Sequence, residues 1–164
     1  MDERIWEVVV VKRGESMDKK IIEKWDKYKG DLEKTLRRKN LHDLEYSDLM
    51  ALVVKEIFNK GCDEYDDPWD IENITKIDNG DYQGTILWLI PRKTYQPCEY
   101  EYLMTYVNYG SCSGCDTLLS IQSNIYWEEG ETNNYSETVI KDIMTLCLHL
   151  VQNTIRPYKA EWEE

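Results

Sequence analysis

Hydrophobic positions in the first sixty residues change their spacing twice, and each change predicts a new element. Ile5–Val11 is a short β-branched run that predicts a buried strand. From Ser16 apolar residues recur every three to four positions, which predicts an amphipathic helix bent near Gly30. Ser47 is typical of a helix start and Gly61 of a left-handed helix stop, so a second helix is expected between them. The apolar positions of the two helices are Ile21, Ile22, Trp25, Tyr28, Leu32 and Leu36, then Leu49, Met50, Leu52, Val53, Ile57 and Phe58.

The middle of the chain has the spacing of strands. Asn73–Asp78 and Tyr82–Ile90 are predicted strands, joined by a hairpin turn at Asp78–Asp81 because Asn and Gly tolerate positive φ. Thr85–Ile90 is apolar on both faces, which predicts a central strand covered on both sides. Glu99–Tyr109 alternates and predicts a third strand, with tyrosines and a methionine along one face.

The C-terminal part is predicted to be helical. A short helix is expected from Asp116 and a longer one over Ser136–Thr154, with Ser136 as its N-cap. Apolar residues lie almost all round the longer helix, so it is expected to be the most buried one, and His149 on it to be a hydrogen-bonded core residue. The fold class is therefore α+β: a single domain over residues 1–164, with a small, mainly antiparallel sheet packed with helices. Its core is expected where the last helix meets the second and third strands.

Charge is distributed unevenly along the chain. Residues 1–60 hold 14 Lys/Arg and 13 Asp/Glu, whereas residues 61–164 hold 6 and 19, and the whole chain has a net charge of −12. An acidic half repels nucleic acid and attracts basic protein surfaces, so a basic protein is the expected partner and direct nucleic-acid binding is not expected. No apolar run reaches the roughly 18 residues of a membrane span, and the N-terminus lacks a signal-peptide pattern, so a cytoplasmic location without membrane contact is expected. The five cysteines are then expected to be thiols or metal ligands.

The stretch that most resembles a site is Tyr109–Leu118, which reads Tyr-Gly-Ser-Cys-Ser-Gly-Cys-Asp-Thr-Leu. A Cys-x-x-Cys between a strand and a helix start suits thiol chemistry, with Cys112 as nucleophile and Cys115 as resolving thiol. A zinc site is a second interpretation, with Cys98 as a third ligand beside the pair. An anion-binding nest of backbone N–H groups over residues 110–114 is a third.

The interpretation that the sequence favours for this stretch is structural. Its glycines permit a tight turn, Asp116 or Ser113 caps the following helix, and the two cysteines pack as small hydrophobes. The sequence contains no recognisable Ser-His-Asp constellation and no phosphate loop of the Gly-Lys-Ser type. A non-enzymatic protein without a cofactor is therefore expected, and zinc held by the cysteines is the alternative.

Acidic residues cluster in three segments that are interpreted as surfaces for a basic partner. The first segment lacks the ligand spacing of a calcium loop. Trp69 and Trp127 lie beside two of the clusters and are expected to be exposed apolar anchors. The predicted partner-binding residues are Asp63, Glu64, Asp66, Asp67, Trp69 and Asp70, then Trp127, Glu128, Glu129 and Glu131, with Glu161, Glu163 and Glu164 as a third acidic group.

Four blocks resemble a group of small bacteriophage-encoded proteins that have no assigned activity. They are Asp81-Tyr-Gln-Gly-Thr-Ile-Leu, Tyr95-Gln-Pro, Tyr109–Leu118 and Asp142-Ile-Met-Thr-Leu-Cys-Leu-His-Leu-Val-Gln. The resemblance covers residues 75–155, which form the family-like core, while residues 1–70 add the N-terminal strand and helices. It implies an accessory protein made inside a bacterium. The leading hypothesis is an acidic, non-enzymatic phage protein that binds and inhibits a host defence or nucleic-acid-handling protein by mimicking nucleic acid. The alternative is a zinc- or thiol-dependent protein that uses the Cys-x-x-Cys motif.

Overall fold

The computed structural model describes residues 19–61, 68–125 and 134–155. Within these ranges the chain forms four α-helices and one three-stranded antiparallel sheet, which confirms the α+β class. The predicted strand Ile5–Val11 lies outside the described residues. No helix in the three ranges has the length and apolar character that crossing a membrane requires. The elements are α1 (Lys19–Arg37), α2 (Tyr46–Val53, extended by a π-helical turn over Val54–Phe58), β1 (Thr75–Asp78), β2 (Gly84–Pro91), β3 (Tyr102–Tyr109), α3 (Thr117–Ser123) and α4 (Glu137–Gln152).

Helix α1 follows the predicted periodicity because one of its faces is apolar. Trp25, Leu32 and Leu36 on that face are buried in the core, whereas Ile22 remains 39% exposed. The Lys24 ammonium donates a hydrogen bond of 2.8 Å to the carbonyl oxygen of Phe58, which joins α1 to the end of the π-helical turn.

The N-cap of helix α2 lies two residues before the helix start that the sequence suggested. Glu45, and not Ser47, is the N-cap, since the Glu45 N–H donates to the Asp48 carboxylate at 2.8 Å and the Glu45 side chain accepts from the Asp48 N–H. The Ser47 hydroxyl instead accepts the indole N–H of Trp88 at 3.3 Å. A tertiary contact thus takes the side chain that the local pattern assigned to a cap.

Gly61 has a φ of 68°, which confirms the predicted left-handed stop.

The sheet has the order β1-β2-β3, so the strand predicted to be central is central. The register pairs Trp88 with Thr105 and Ile90 with Leu103, and this face packs against the helices. The hydroxyl of Thr105 donates to the carbonyl oxygen of Leu150 at 2.6 Å, which links β3 to α4 inside the core. Helix α4 has its N-cap at Ser136, as predicted, and its buried residues are Val139, Ile140, Ile143, Leu146, Cys147, Leu150 and Val151.

The connection between β1 and β2 is wider than the predicted Asn-Gly turn. Gly80 lacks a positive φ, and the strands pair from Asp78 with Ile86, which leaves a broad loop. Side chains close this loop: the Asp78 carboxylate accepts the Gly80 N–H at 3.0 Å, and the Asn79 amide oxygen accepts the Thr85 N–H at 2.7 Å. The prediction of a tight turn was wrong because local Asx hydrogen bonds satisfy the backbone in a larger loop.

Two glycines allow a matched test of this backbone. Gly30→Ala should raise the free energy of unfolding by about 0.5–1 kcal/mol, because the added Cβ meets no atom within 4 Å in the exposed interior of α1. Gly61→Ala should lower it by about 1–2 kcal/mol, since its positive φ disfavours a Cβ that would lie 2.5 Å from the Tyr28 hydroxyl. Chemical denaturation measures both shifts, and two shifts of the same sign would contradict this geometry.

Candidate functional site

The segment between β3 and α3 forms a compact turn at one end of the sheet. The N–H groups of Cys115 and Asp116 both donate to the carbonyl oxygen of Cys112, at 3.0 and 2.9 Å. Gly110 makes the close approach possible, because a Cβ there would lie 2.6 Å from both the carbonyl oxygen and the Sγ of Cys115. The turn therefore depends on glycine at position 110 for steric reasons.

Asp116 holds the turn to the body of the protein. Its carboxylate is only 5% exposed and accepts the N–H of Gly110 and the N–H of Leu119, each at 2.9 Å. It also accepts the hydroxyl of Tyr46 at 2.9 Å, and that hydroxyl accepts the N–H of Leu118 at 3.2 Å. Burial raises the pKa of Tyr46 well above its usual range, and the hydrogen bond to the Asp116 carboxylate raises it further. The predicted capping role of Asp116 is confirmed, and the cap extends into a network across three elements.

Several backbone amides in and around the predicted anion nest already have acceptors within the protein. The Gly110 N–H is bonded to the carboxylate of Asp116, the Cys112 N–H to the Sγ of Cys115, and the Cys115 N–H to a carbonyl oxygen. Amides that are used in this way do not point to an external phosphate. The buried carboxylate that caps α3 also takes the first amide of the turn, so the predicted nest loses the Gly110 N–H as a donor.

The two thiols of the motif lie side by side at the surface. Their Sγ atoms are 2.9 Å apart, and both cysteines are exposed, so the prediction that they pack as small hydrophobes was wrong. Asp116 and Leu118 are the buried residues at this end, which leaves the sulfurs outside. The Cys112 thiol, together with backbone N–H groups, lowers the pKa of Cys115 through hydrogen bonds to its sulfur. The anion of Cys115 is therefore stabilised, whereas the sequence interpretation took Cys112 as the nucleophile.

Cys98 is not part of this site. It precedes the 3₁₀ turn Glu99–Glu101 at the far end of β3, and an eight-residue strand spans about 23 Å. Its N–H donates to the Glu101 carboxylate at 2.7 Å, which caps that turn. Among the described residues, no group of three or more His, Cys, Asp or Glu side chains could hold a metal ion. The alternative of zinc held by Cys98, Cys112 and Cys115 was therefore wrong.

A groove of about 440 Å³ opens beside the turn, between α3 and α4. Cys115 and Thr117 line one side, and Asp142, Thr145 and His149 line the other. His149 is exposed, so the expectation that it is a core residue was wrong. It lies on the face of α4 that is opposite the buried one. Asp142, Thr145 and His149 are spaced by three and four residues, which places them on one face of α4. This spacing could have indicated a polar stripe on an otherwise apolar helix.

Two of the predicted partner-binding residues, Trp69 and Asp70, lie within the described ranges. Trp69 is 6% exposed and its ring lies 3.9 Å from the guanidinium carbon of Arg92, so the expectation of an exposed anchor was wrong. Its backbone pairs with Arg92 as an isolated bridge, which draws the indole into the core. Asp70 caps the 3₁₀ turn Ile71–Asn73 by accepting the Glu72 N–H. The remaining predicted residues lie outside the described ranges: Asp63, Glu64, Asp66, Asp67, Trp127, Glu128, Glu129 and Glu131, together with Glu161, Glu163 and Glu164 of the third acidic group.

The residues that flank the first acidic segment, Asn59 and Trp69, both lie within the described ranges. The side-chain amide of Asn59 donates to the carbonyl oxygen of Trp69 at 3.0 Å and accepts the Trp69 N–H at 2.8 Å. Both ends of the segment over residues 60–68 are thus tied to one amide group.

Comparison with protein-family models, with curated proteins and with solved structures gives no match to this chain.

The Asp116 network predicts a large loss of stability from small changes. Asp116→Ala should lower the free energy of unfolding by about 3 kcal/mol, because it leaves one buried and two partly buried donors without an acceptor. Tyr46→Phe should lower it by about 1–2 kcal/mol through the loss of one hydroxyl. Tyr95→Phe is the control, since Tyr95 is 97% exposed and should change stability by less than about 0.5 kcal/mol. Equal effects of Tyr46→Phe and Tyr95→Phe in denaturant melts would contradict the network.

The hydroxyl of Tyr109 gives a pH-dependent prediction. It lies 2.6 Å from the Asp78 carboxylate and from the Gly80 carbonyl oxygen, and its hydrogen bond to Asp78 raises the pKa of Tyr109 to about 12. The unfolded value is about 10, so this contribution to stability is complete below pH 10 and is lost as the pH rises through about 12. Asp78→Asn should bring the pKa back toward 10, whereas Asp81→Asn in the same loop should change it little. Ultraviolet titration of tyrosinate, with Tyr109→Phe as the reference, measures this pKa.

Proposed function

We propose that this chain is a bacteriophage-encoded, non-enzymatic accessory protein that binds and inhibits a bacterial host protein with a basic surface. The class of partner that fits is a protein that normally binds nucleic acid, including one that acts in host defence. Carboxylates of the phage protein then occupy positions that phosphates would take. The proposed location is the cytoplasm of the host cell.

The distribution of charge supports this proposal. Residues 19–61, 68–125 and 134–155 together hold 15 Lys/Arg and 17 Asp/Glu, a net charge of −2. The remaining residues hold 5 and 15, a net charge of −10. The packed helices and sheet are thus almost neutral, and the acidic excess is concentrated in the segments between and beyond them. A concentrated excess of one sign raises the association rate with an oppositely charged surface.

The observation that carries the proposal is the closed base of the first acidic segment. Asp63, Glu64, Asp66 and Asp67 fall in a run whose flanking residues, Asn59 and Trp69, are joined by two hydrogen bonds. A chain segment whose ends are held together has fewer accessible conformations than an open tail of the same length. Binding then costs less conformational entropy than it would for an open acidic tail.

The burial of Trp69 changes the balance of forces in the proposed interface. Without that indole as an apolar anchor, the carboxylates carry more of the interaction. Exposed charge pairs are screened beyond about 10 Å at an ionic strength of about 0.1 M and beyond about 3 Å at about 1 M. Binding is therefore expected to be strongly sensitive to salt.

The test starts with capture of host proteins on immobilised protein from a bacterial lysate cleared of nucleic acid, followed by mass spectrometry. A captured basic protein is then purified, and its affinity is measured against ionic strength and against competing DNA. We expect the affinity to fall more than tenfold between about 0.1 and 1 M salt, and DNA to compete for the same surface. Capture of neutral or acidic proteins alone, or DNA that does not compete, would overturn the proposal.

Matched variants assign the effect to the first acidic segment. The segment variant carries Asp63→Asn, Glu64→Gln, Asp66→Asn and Asp67→Asn, and should bind about tenfold more weakly or worse. The control variant removes the same charge from exposed, scattered positions through Glu23→Gln, Asp26→Asn, Glu72→Gln and Glu99→Gln, and should lose less than about threefold. Equal losses in the two variants would show a general charge effect and contradict a role for the segment.

A further inference from the structure

The Cys112–Cys115 pair has no role in the proposed binding function, yet its geometry is that of a reactive dithiol. The two Sγ atoms are 2.9 Å apart, and a disulfide bond is about 2.0 Å long, so bond formation requires the sulfurs to approach by only about 0.9 Å. Both thiols are exposed and accessible to a reagent. Cys147 provides the contrast, since it is fully buried and burial raises its pKa to about 12.

The backbone holds the two sulfurs together without a bond between them. The Cys112 carbonyl oxygen accepts N–H groups from Cys115 and Asp116, and the Cys112 N–H lies 3.3 Å from the sulfur of Cys115. The buried carboxylate of Asp116 anchors this turn at its base. The reduced state is therefore already arranged for ring closure, and the turn does not depend on the disulfide for its shape.

The two thiols differ in their surroundings. Cys115 lines the groove of about 440 Å³, opposite the exposed side chains of Thr145 and His149, whereas Cys112 does not line it. The sulfur of Cys115 also accepts a hydrogen bond from the backbone N–H of Cys112 and lies in hydrogen-bonding contact with the Cys112 thiol. A groove of this size falls in the range of small-molecule sites, so a small disulfide that enters it meets Cys115 first.

We propose that Cys112 and Cys115 form a reversible dithiol–disulfide couple that exchanges with a small external disulfide, with Cys115 as the attacking sulfur. The Cys115 thiolate attacks one sulfur of the external disulfide, forms a mixed disulfide and releases the first external thiolate, which takes up a proton. Cys112 then loses its proton to solvent and attacks the sulfur of Cys115, which releases the second external thiolate, and this thiolate also takes up a proton. In total, two protein thiols are oxidised to one disulfide, and one external disulfide is reduced to two thiols.

Oxidised and reduced glutathione are the probes for this couple. The chain used carries Cys62→Ser and Cys98→Ser, so that Cys147 is the only thiol outside the motif. After oxidised glutathione, alkylation and mass spectrometry should find a loss of two hydrogens and a link between Cys112 and Cys115. Excess reduced glutathione should restore both thiols. The absence of this link, or a link that reduced glutathione leaves intact, would overturn the proposal.

Single variants test the order of attack. Cys112→Ser should accumulate a glutathione mixed disulfide on Cys115, because the resolving thiol is missing. Cys115→Ser should form the mixed disulfide on Cys112 several-fold more slowly. Both positions are exposed, so serine is accommodated and circular dichroism should be unchanged. In the chain that retains Cys98, iodoacetamide at neutral pH should modify Cys115 several-fold faster than Cys98 and leave Cys147 unmodified. Equal rates at Cys112 and Cys115, or at Cys115 and Cys98, would refute the assignment of Cys115.

Discussion

The buried carboxylate of Asp116 is the interaction on which the rest of this end of the molecule depends. It joins the hydroxyl of Tyr46 in α2, the first amide of the turn after β3 and the first turn of α3. A carboxylate in such a place is costly unless donors surround it, and here three donors reach its two oxygens. The same contacts that stabilise the charge therefore determine where the chain turns. Gly110 completes the arrangement, because any larger residue would meet Cys115.

The cysteines of this protein differ in burial and therefore in reactivity. Cys147 packs in the core on α4, where burial raises its pKa to about 12 and removes it from thiol chemistry. Cys115 lies at the surface, where hydrogen bonds to its sulfur lower its pKa. Both belong to the same small domain, and burial against the helices separates their chemistry. The stability of the fold and the reactivity of the motif are thus supplied by different residues.

Charge is divided in a similar way. The packed elements are close to neutral, and local ion pairs such as Lys60 with Glu56 and Asp31 lie on the helical side of the molecule. The acidic excess belongs to residues outside the described ranges, and one of these acidic segments lies between Asn59 and Trp69, which are joined by two hydrogen bonds. The proposed surface for a basic partner therefore adds little like-charge repulsion to the part of the fold that the structure describes.

Most features that depend on neighbours in sequence were predictable for this protein, and the exceptions are the cap at Ser47 and the tight Asn-Gly turn. Helical spacing, the caps at Ser136 and Asp116, the stop at Gly61 and the two-faced apolar run of β2 are local or periodic signals, and each has its counterpart in the structure. The burial of Trp69, the exposure of the motif thiols and the groove at His149 were not predictable in this way. Each of them follows from contacts between residues that are distant in sequence, such as Tyr46 with Asp116 or Thr105 with Leu150. A pattern along the chain identifies which residues are apolar or reactive, but only packing decides which of them water can reach.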